Sequence, residues 1–177
     1  MNYFICLLSV LLFCNKSFGQ ECDLQKDNKN YLLNLNYSNS VSNKIIIIKE
    51  KLLRDRFLIP DSTYSVCVVG KHEFKYSALT NKWKNQYGND CGKKILHYIF
   101  YKKGKDMIEL DETLFPNNIQ ILEFLNQENV DKILNLDSNE SKTLFGERGF
   151  ETNAIIIYTN DKEIEKKILE RRKKNGR

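Results

Sequence analysis

The side chains that could do chemistry are few and scattered. His72 stands beside Glu73, His97 lies within ILHYIF, and Asp111 precedes Glu112. Cys67 and Cys91 are the nucleophile candidates of the main body. Covalent catalysis needs a base within hydrogen-bond reach of the nucleophile and a third group that orients the base. Nothing in the linear order brings His72 or His97 to either cysteine. His97 reads as a strand residue with a satisfied partner, and Asp111-Glu112 as the end of a hairpin strand rather than a working carboxylate pair. No Gly-x-Ser-x-Gly, no His-Glu-x-x-His and no phosphate-cradling glycine loop occurs. No Cys/His spacing suits a zinc site. The expectation is a non-enzymatic protein with no metal and no cofactor, with an uncharacterised hydrolase as an alternative.

A second constellation could bind rather than react. HEFKYSALTNKWKNQYG interleaves Lys75, Lys82 and Lys84 with Tyr76, Trp83 and Tyr87. Rings and cations in this order suit stacking on a single-stranded nucleic acid. They equally suit an outer hairpin whose aromatics are core and whose lysines protect an edge. The formal charge of +5 is concentrated in the tail KKILERRKKNGR rather than along a face, which is not a nucleic-acid footprint. The candidate surface is therefore assigned to a protein, a glycan or an anionic envelope polymer, and no nucleic-acid partner is expected.

That preference rests on export. Residues 3–13 are a mostly apolar run, too short for a spanning helix of about 20 residues. Ser17 and Gly19 follow as small residues with cleavage-site spacing, so residues 1–19 read as a signal peptide cut before Gln20. The departure is a start with no Lys or Arg. Cleavage would remove Cys6 and Cys14 and leave Cys22, Cys67 and Cys91. Export permits a disulfide. Three pairings are open and one thiol is left over. Cys67 and Cys91 are the candidate pair, although Cys67, in YSVCVVG, also reads as a buried small hydrophobe. Cys91 sits beside Gly92 and reads as the more exposed.

The elements that would position these groups are legible in pieces. Residues 20–43 are rich in Asn and Ser and read as a mobile start with one short strand at 31–35. The four isoleucines at 45–48 are β-branched and read as a buried strand. TYSVCVVG reads as a second strand and KKILHYIFYKK as a third, which KGKD turns into MIELD. Ile119, Leu122 and Phe124 fit one helical face, Asn126 caps a turn, and DKILNLD fits helix or strand. Asp137 with Glu140 forms a capping box for a helix ending at Gly146. AIIIYT is a strand, and Asn160 with Glu163 in the box position starts a last helix with Ile164 and Ile168 on one face.

One stretch carries a resemblance. LNQENVDKILNLDSNESKTLFGERGFETNAIIIYTND is similar to the end of the plug domain of TonB-dependent outer-membrane receptors. There a capped turn precedes a strand, a short helix ends in Leu-Tyr-Gly-x-Arg-Gly, and a Val-Ile-Ile-Ile-Thr-Thr strand follows. Here Leu125-Asn126 stands at the turn, Gly146, Glu147, Arg148 and Gly149 at the helix end, and residues 154–159 at the last strand. Two features differ: the chain before the last strand is longer and lacks Asn-Gly, and no barrel follows. The resemblance covers residues 125–160 and implies a free-standing plug-like module, not a transporter.

The resulting expectation is a single α+β domain with a mixed sheet and two or three short helices. Residues 1–19 are the leader, 20–43 a flexible segment, 44–160 the plug-like domain and 161–177 a charged helix with a basic tail. The function expected is binding of a protein or envelope partner in the periplasm or at the outer envelope, with peripheral association. A small secreted interaction or inhibitor-like domain held by one disulfide is the alternative.

Overall fold

Asp23 accepts a hydrogen bond from the Lys26 N–H at 2.9 Å and caps helix α1, Leu24–Tyr37. In this computed structural model the described residues are 23–60, 65–69, 72–76, 82–111 and 113–175. The side chains of 65–69, 72–76, 147 and 172–175 are outside the description, as is the expected leader. Leu24, Tyr31 and Leu35 form the buried stripe of α1, so residues 31–35 are helical rather than a strand. Their spacing of seven and four residues is a helical face, hidden in sequence by the surrounding Asn and Lys.

Helix α2, Val41–Asp55, starts at Ser40, whose hydroxyl accepts from Asn43 N. It contains the four isoleucines expected as a strand. Ile45, Ile48 and Leu52 face inward, while Ile46 is exposed. The i, i+3, i+7 pattern with a cap overrode β-branched preference, which amounts to a few tenths of a kcal/mol per residue.

Three sheets follow. Strands β1 (Ile59–Pro60), β4 (Lys82–Lys84) and β5 (Asp90–Lys93) form an antiparallel sheet in the order β1-β4-β5. Strands β2 (Ser65–Val69) and β3 (His72–Tyr76) pair with each other. The expected hairpin over residues 72–90 is therefore not formed, because β3 turns back on β2 and β4 on β5.

The main sheet is mixed, in the order β7-β6-β9-β8. Strand β6 is Leu96–Tyr101, β7 Asp106–Glu109, β8 Lys132–Leu136 and β9 Ala154–Tyr158. Strand β9 runs parallel to β6 and antiparallel to β8. DKILNLD is thereby resolved as a strand. Between β7 and β8 a 3-10 helix, Ile119–Phe124, buries Ile119, Ile121 and Leu122 and leaves Phe124 outside. Asn126 caps a turn, accepting from Glu128 N and Asn129 N.

Alternation gives the sheet two faces. His97, Ile99, Tyr101, Ile155 and Ile157 face one way. The apolar members of this set join Tyr31, Ile48, Leu52, Ile121, Ile164 and Ile168 in the principal core. Leu96, Tyr98, Phe100, Ala154 and Leu136 face the other way, where Phe145 packs on them. Helix α3 is Ser138–Phe145 and α4 is Lys162–Asn175. Ile155 is fully buried and Ile156 and Ile157 are 1% exposed, so β9 is covered on both sides. The cap of α4 is Asp161, which accepts from Ile164 N at 2.9 Å, rather than Asn160. Asn160 instead accepts from Lys103 N and donates to Asp131. The described chain is an α+β fold, with more and longer helices than expected.

Candidate functional site

The glycine turn is built outward from α3. Asp137 accepts from Asn139 N and Glu140 N, and Glu140 accepts from Asp137 N, completing the capping box. Gly146 ends the helix at φ +62°, ψ −139°, with its N–H on Lys142 O, a conformation that an L side chain disfavours. Gly149 is required for a different reason. A Cβ there would run into the Ser141 carbonyl and lie 2.7 Å from Lys142 N. The turn Gly146–Gly149 is thus folded tightly against the helix it terminates.

Arg148 lies between the glycines and points onto the sheet. Its Nη1 donates to Glu109 Oε2 at 2.7 Å and its Nη2 to Glu109 Oε1, a bidentate pair about 10% exposed on each side. Nη1 also approaches the Tyr98 hydroxyl at 3.4 Å. The Tyr98 ring stacks on Phe145 with centroids 4.3 Å apart. The turn is therefore clamped to β6 and β7 by one ion pair and one ring stack. The Arg148 charge is matched inside the fold and serves to hold the turn. The backbone of Glu147 is part of the turn, and its side chain is not among those described.

A second constellation sits on the opposite face, where α1 and α2 meet the sheet. Lys51 is fully buried and lies 2.8 Å from both Asp27 and Asp55. The Tyr31 hydroxyl is 2.8 Å from His97 Nε2. Lys94 reaches Asp111 at 3.2 Å and sits 3.5 Å above the Trp83 ring. Asp111 also accepts from Thr113 N and Leu114 N.

Burial dominates the electrostatics of this group. It holds the His97 imidazole down at a pKa of about 3, helped by the nearby positive charges of Lys51 and Lys94 and opposed by a hydrogen bond to the Ile95 backbone. It raises Tyr31, with Asp55 adding to the rise, and raises Asp55 against the pull of Lys51. It lowers Lys94 against the pull of Asp111. His97 is thus a neutral partner of Tyr31 at pH 7. The arrangement locks two helices to a sheet. It went unseen in the sequence because residues 24–55 were not read as helices. Once they are, Lys51 and Asp55 fall one turn apart beside Ile48 and Leu52.

Of the sequence-expected binding residues, Lys82, Trp83, Lys84 and Tyr87 have described side chains. Trp83 is 1% exposed and belongs to a small core with Leu24, Leu58 and Cys91, so it is not a surface ring. Lys82 is exposed, Lys84 half-buried, and Tyr87 exposed in the turn after β4. Lys75 and Tyr76 are in β3, with side chains outside the described residues, as is that of His72. Cys91 is buried at 4% exposure, contrary to the expected exposed position, because β5 packs it on Trp83 and Leu24. It is disulfide-bonded. Cys22 and the Cys67 side chain are outside the described residues. Glu112 also lies outside them, so the Asp111-Glu112 pair is seen only through Asp111.

Among the described residues no helix is long and apolar enough to cross a membrane, and no three or more His, Cys, Asp or Glu side chains are grouped to hold a metal ion. Comparison with protein-family models, with curated proteins and with solved structures returns no match.

Proposed function

We propose that this chain is an exported, non-enzymatic envelope module, plug-like in its C-terminal half, that binds a protein or envelope polymer and associates peripherally with the envelope. The observation that carries the reading is the construction of residues 137–158. A boxed helix stops on Gly146, Arg148 is locked to Glu109, and the chain returns through Gly149 into the central strand β9. This is the order of elements on which the resemblance to receptor plugs rests. A turn clamped in this way presents a fixed surface rather than a reactive one.

The test is expression of the full chain in a host with a cell envelope, followed by fractionation, intact-mass measurement and cross-linking in envelope extracts. The reading expects a mature chain starting near Gln20 that cross-links to an envelope component. A chain that keeps residues 1–19 and stays in the cytoplasm would overturn it. The disulfide at Cys91 favours one second reading, a small secreted interaction or inhibitor-like domain. Recovery from the medium, with no envelope cross-link, would select that reading.

A further inference from the structure

The second face of the main sheet is closed unevenly. Cross-strand register divides it into three rows. The first is Leu96, Ala154 and Leu136, and the second is Glu109, Tyr98, Ile156 and Leu134. Phe145 and Arg148 lie over these two. The third row runs across all four strands as Met107, Phe100, Tyr158 and Lys132, each paired with the next. Met107 is 43% exposed, Lys132 is exposed, and Phe100 and Tyr158 are half-buried. The two rings are 5.3 Å apart at 33°, which makes a shallow apolar platform, and the Lys132 ammonium is 4.6 Å from the Tyr158 centroid.

The border of this platform is basic. Gly104 abuts it, since a Cβ there would lie 3.7 Å from the Tyr158 ring. Exposed Lys103 and Lys105 flank that glycine. Of the neighbouring acids, Glu109 is paired with Arg148, Asp106 and Glu165 share Lys102, and Asp131, held by the neutral Asn160 amide, keeps its charge, so Lys103, Lys105 and Lys132 outnumber the uncompensated carboxylates. The sign left over for a ligand is positive.

We propose that the Met107–Phe100–Tyr158–Lys132 row is a ring-stacking surface for an acidic polysaccharide. The apolar faces of sugar rings lie on Phe100 and Tyr158, with Met107 extending the strip. Lys132 swings from the Tyr158 face to a carboxylate, and Lys103 and Lys105 meet its neighbours along the polymer. The choice of a glycan over other anionic ring polymers rests on the envelope reading above. The platform itself rests only on register, exposure and charge. The surface differs from the one the sequence suggested at residues 75–87.

The test is titration of the folded full chain with oligogalacturonate, followed by isothermal calorimetry and by Tyr fluorescence. Parallel arms use a neutral cello-oligosaccharide, poly-glutamate and oligo-thymidylate. Saturable, salt-sensitive binding of oligogalacturonate is expected, at least tenfold tighter than the neutral sugar or poly-glutamate. The variants Lys132→Ala and Lys103→Ala/Lys105→Ala should each weaken it severalfold, with unchanged melting temperature because these side chains are exposed. Tyr158→Ser should weaken it tenfold or more, its fold checked by circular dichroism. No binding at millimolar oligogalacturonate, or binding that none of these variants changes, would refute the site. Equal binding of poly-glutamate would reduce it to charge alone. Tighter binding of oligo-thymidylate would overturn the glycan assignment. Failure of the envelope reading shows separately, as cytoplasmic retention of a chain that still binds the sugar.

Discussion

Acid should weaken this fold through one imidazole. His97 is held at a pKa of about 3 against its ordinary 6.5, so between these values the unfolded chain carries a proton that the folded chain refuses. Stability from this group is complete above pH 6.5 and is lost as pH falls toward 3. The slope approaches about 1.4 kcal/mol per pH unit. From pH 6.5 to 4.5 the loss is about 2–3 kcal/mol, against a typical total of about 5–15 kcal/mol. Asp55 acts in the opposite sense. Its raised pKa means that acidification below the folded value relieves a buried charge, so the raw wild-type curve mixes two signs. Substituting His97→Gln separates them, because Asp55 is common to both proteins. A glutamine amide can still meet the Tyr31 hydroxyl but does not titrate. The variant should be less stable than wild type at pH 7, with the gap narrowing by about 2–3 kcal/mol at pH 4.5. The assay is urea unfolding at fixed ionic strength at half-unit pH steps, with an NMR titration of the imidazole. Parallel curves, or an imidazole that titrates near 6.5 in the folded state, would refute the reasoning.

The remaining expectations concern the turn, the disulfide and the central strand. Gly149→Ala should cost more than Gly146→Ala, because the first drives a Cβ into the Ser141 backbone, whereas the second meets open space and carries only the strain of a side chain at φ +62°, ψ −139°, about 1–3 kcal/mol; thermal melts in the reverse order would contradict this. Arg148→Ala and Glu109→Ala should each destabilise by about 3–5 kcal/mol, since each leaves the other charge buried. The double variant should then be less destabilised than the sum, and strict additivity would mean the pair is not coupled. Cys91→Ser should cost about 2–5 kcal/mol and abolish any further effect of reductant. Non-reducing peptide mapping should recover Cys91 in a cross-linked peptide, and recovery of Cys91 as a free thiol would contradict that. Ile156→Asp and Ile157→Asp test opposite faces of β9, and each should cost on the order of 4 kcal/mol or more. Wild-type stability in either variant would mean that side faces water.

The sequence was legible where local chemistry and tertiary demand agree. The Asp137–Glu140 box, the stop at Gly146 and the apolar β9 each follow from residues within one turn or one strand, and each stands in the structure as read. Misreading began where long-range packing decides. Residues 45–48 favour a strand locally, but only a helix places Ile45, Ile48 and Leu52 on one face while burying Lys51 between Asp27 and Asp55. Lys51 and Asp55 lie one turn apart, but the pairs that tie elements together, Lys51–Asp27 and Arg148–Glu109, join residues 24 and 39 positions apart. No window of sequence contains both partners. Trp83 shows the same limit. Flanking lysines made it look superficial, yet strand alternation turns its ring inward while Lys82 stays outside.

The two faces of the main sheet explain each other. On the inner face, α1, α2, α4 and the 3-10 helix all contribute apolar side chains, and the buried His97 imidazole is kept neutral. That face is closed and carries the stability. Among the described residues the outer face is covered by an eight-residue helix and a four-residue turn. Gly149 draws that turn back against Ser141, so it reaches no further than the row of Tyr98 and Glu109.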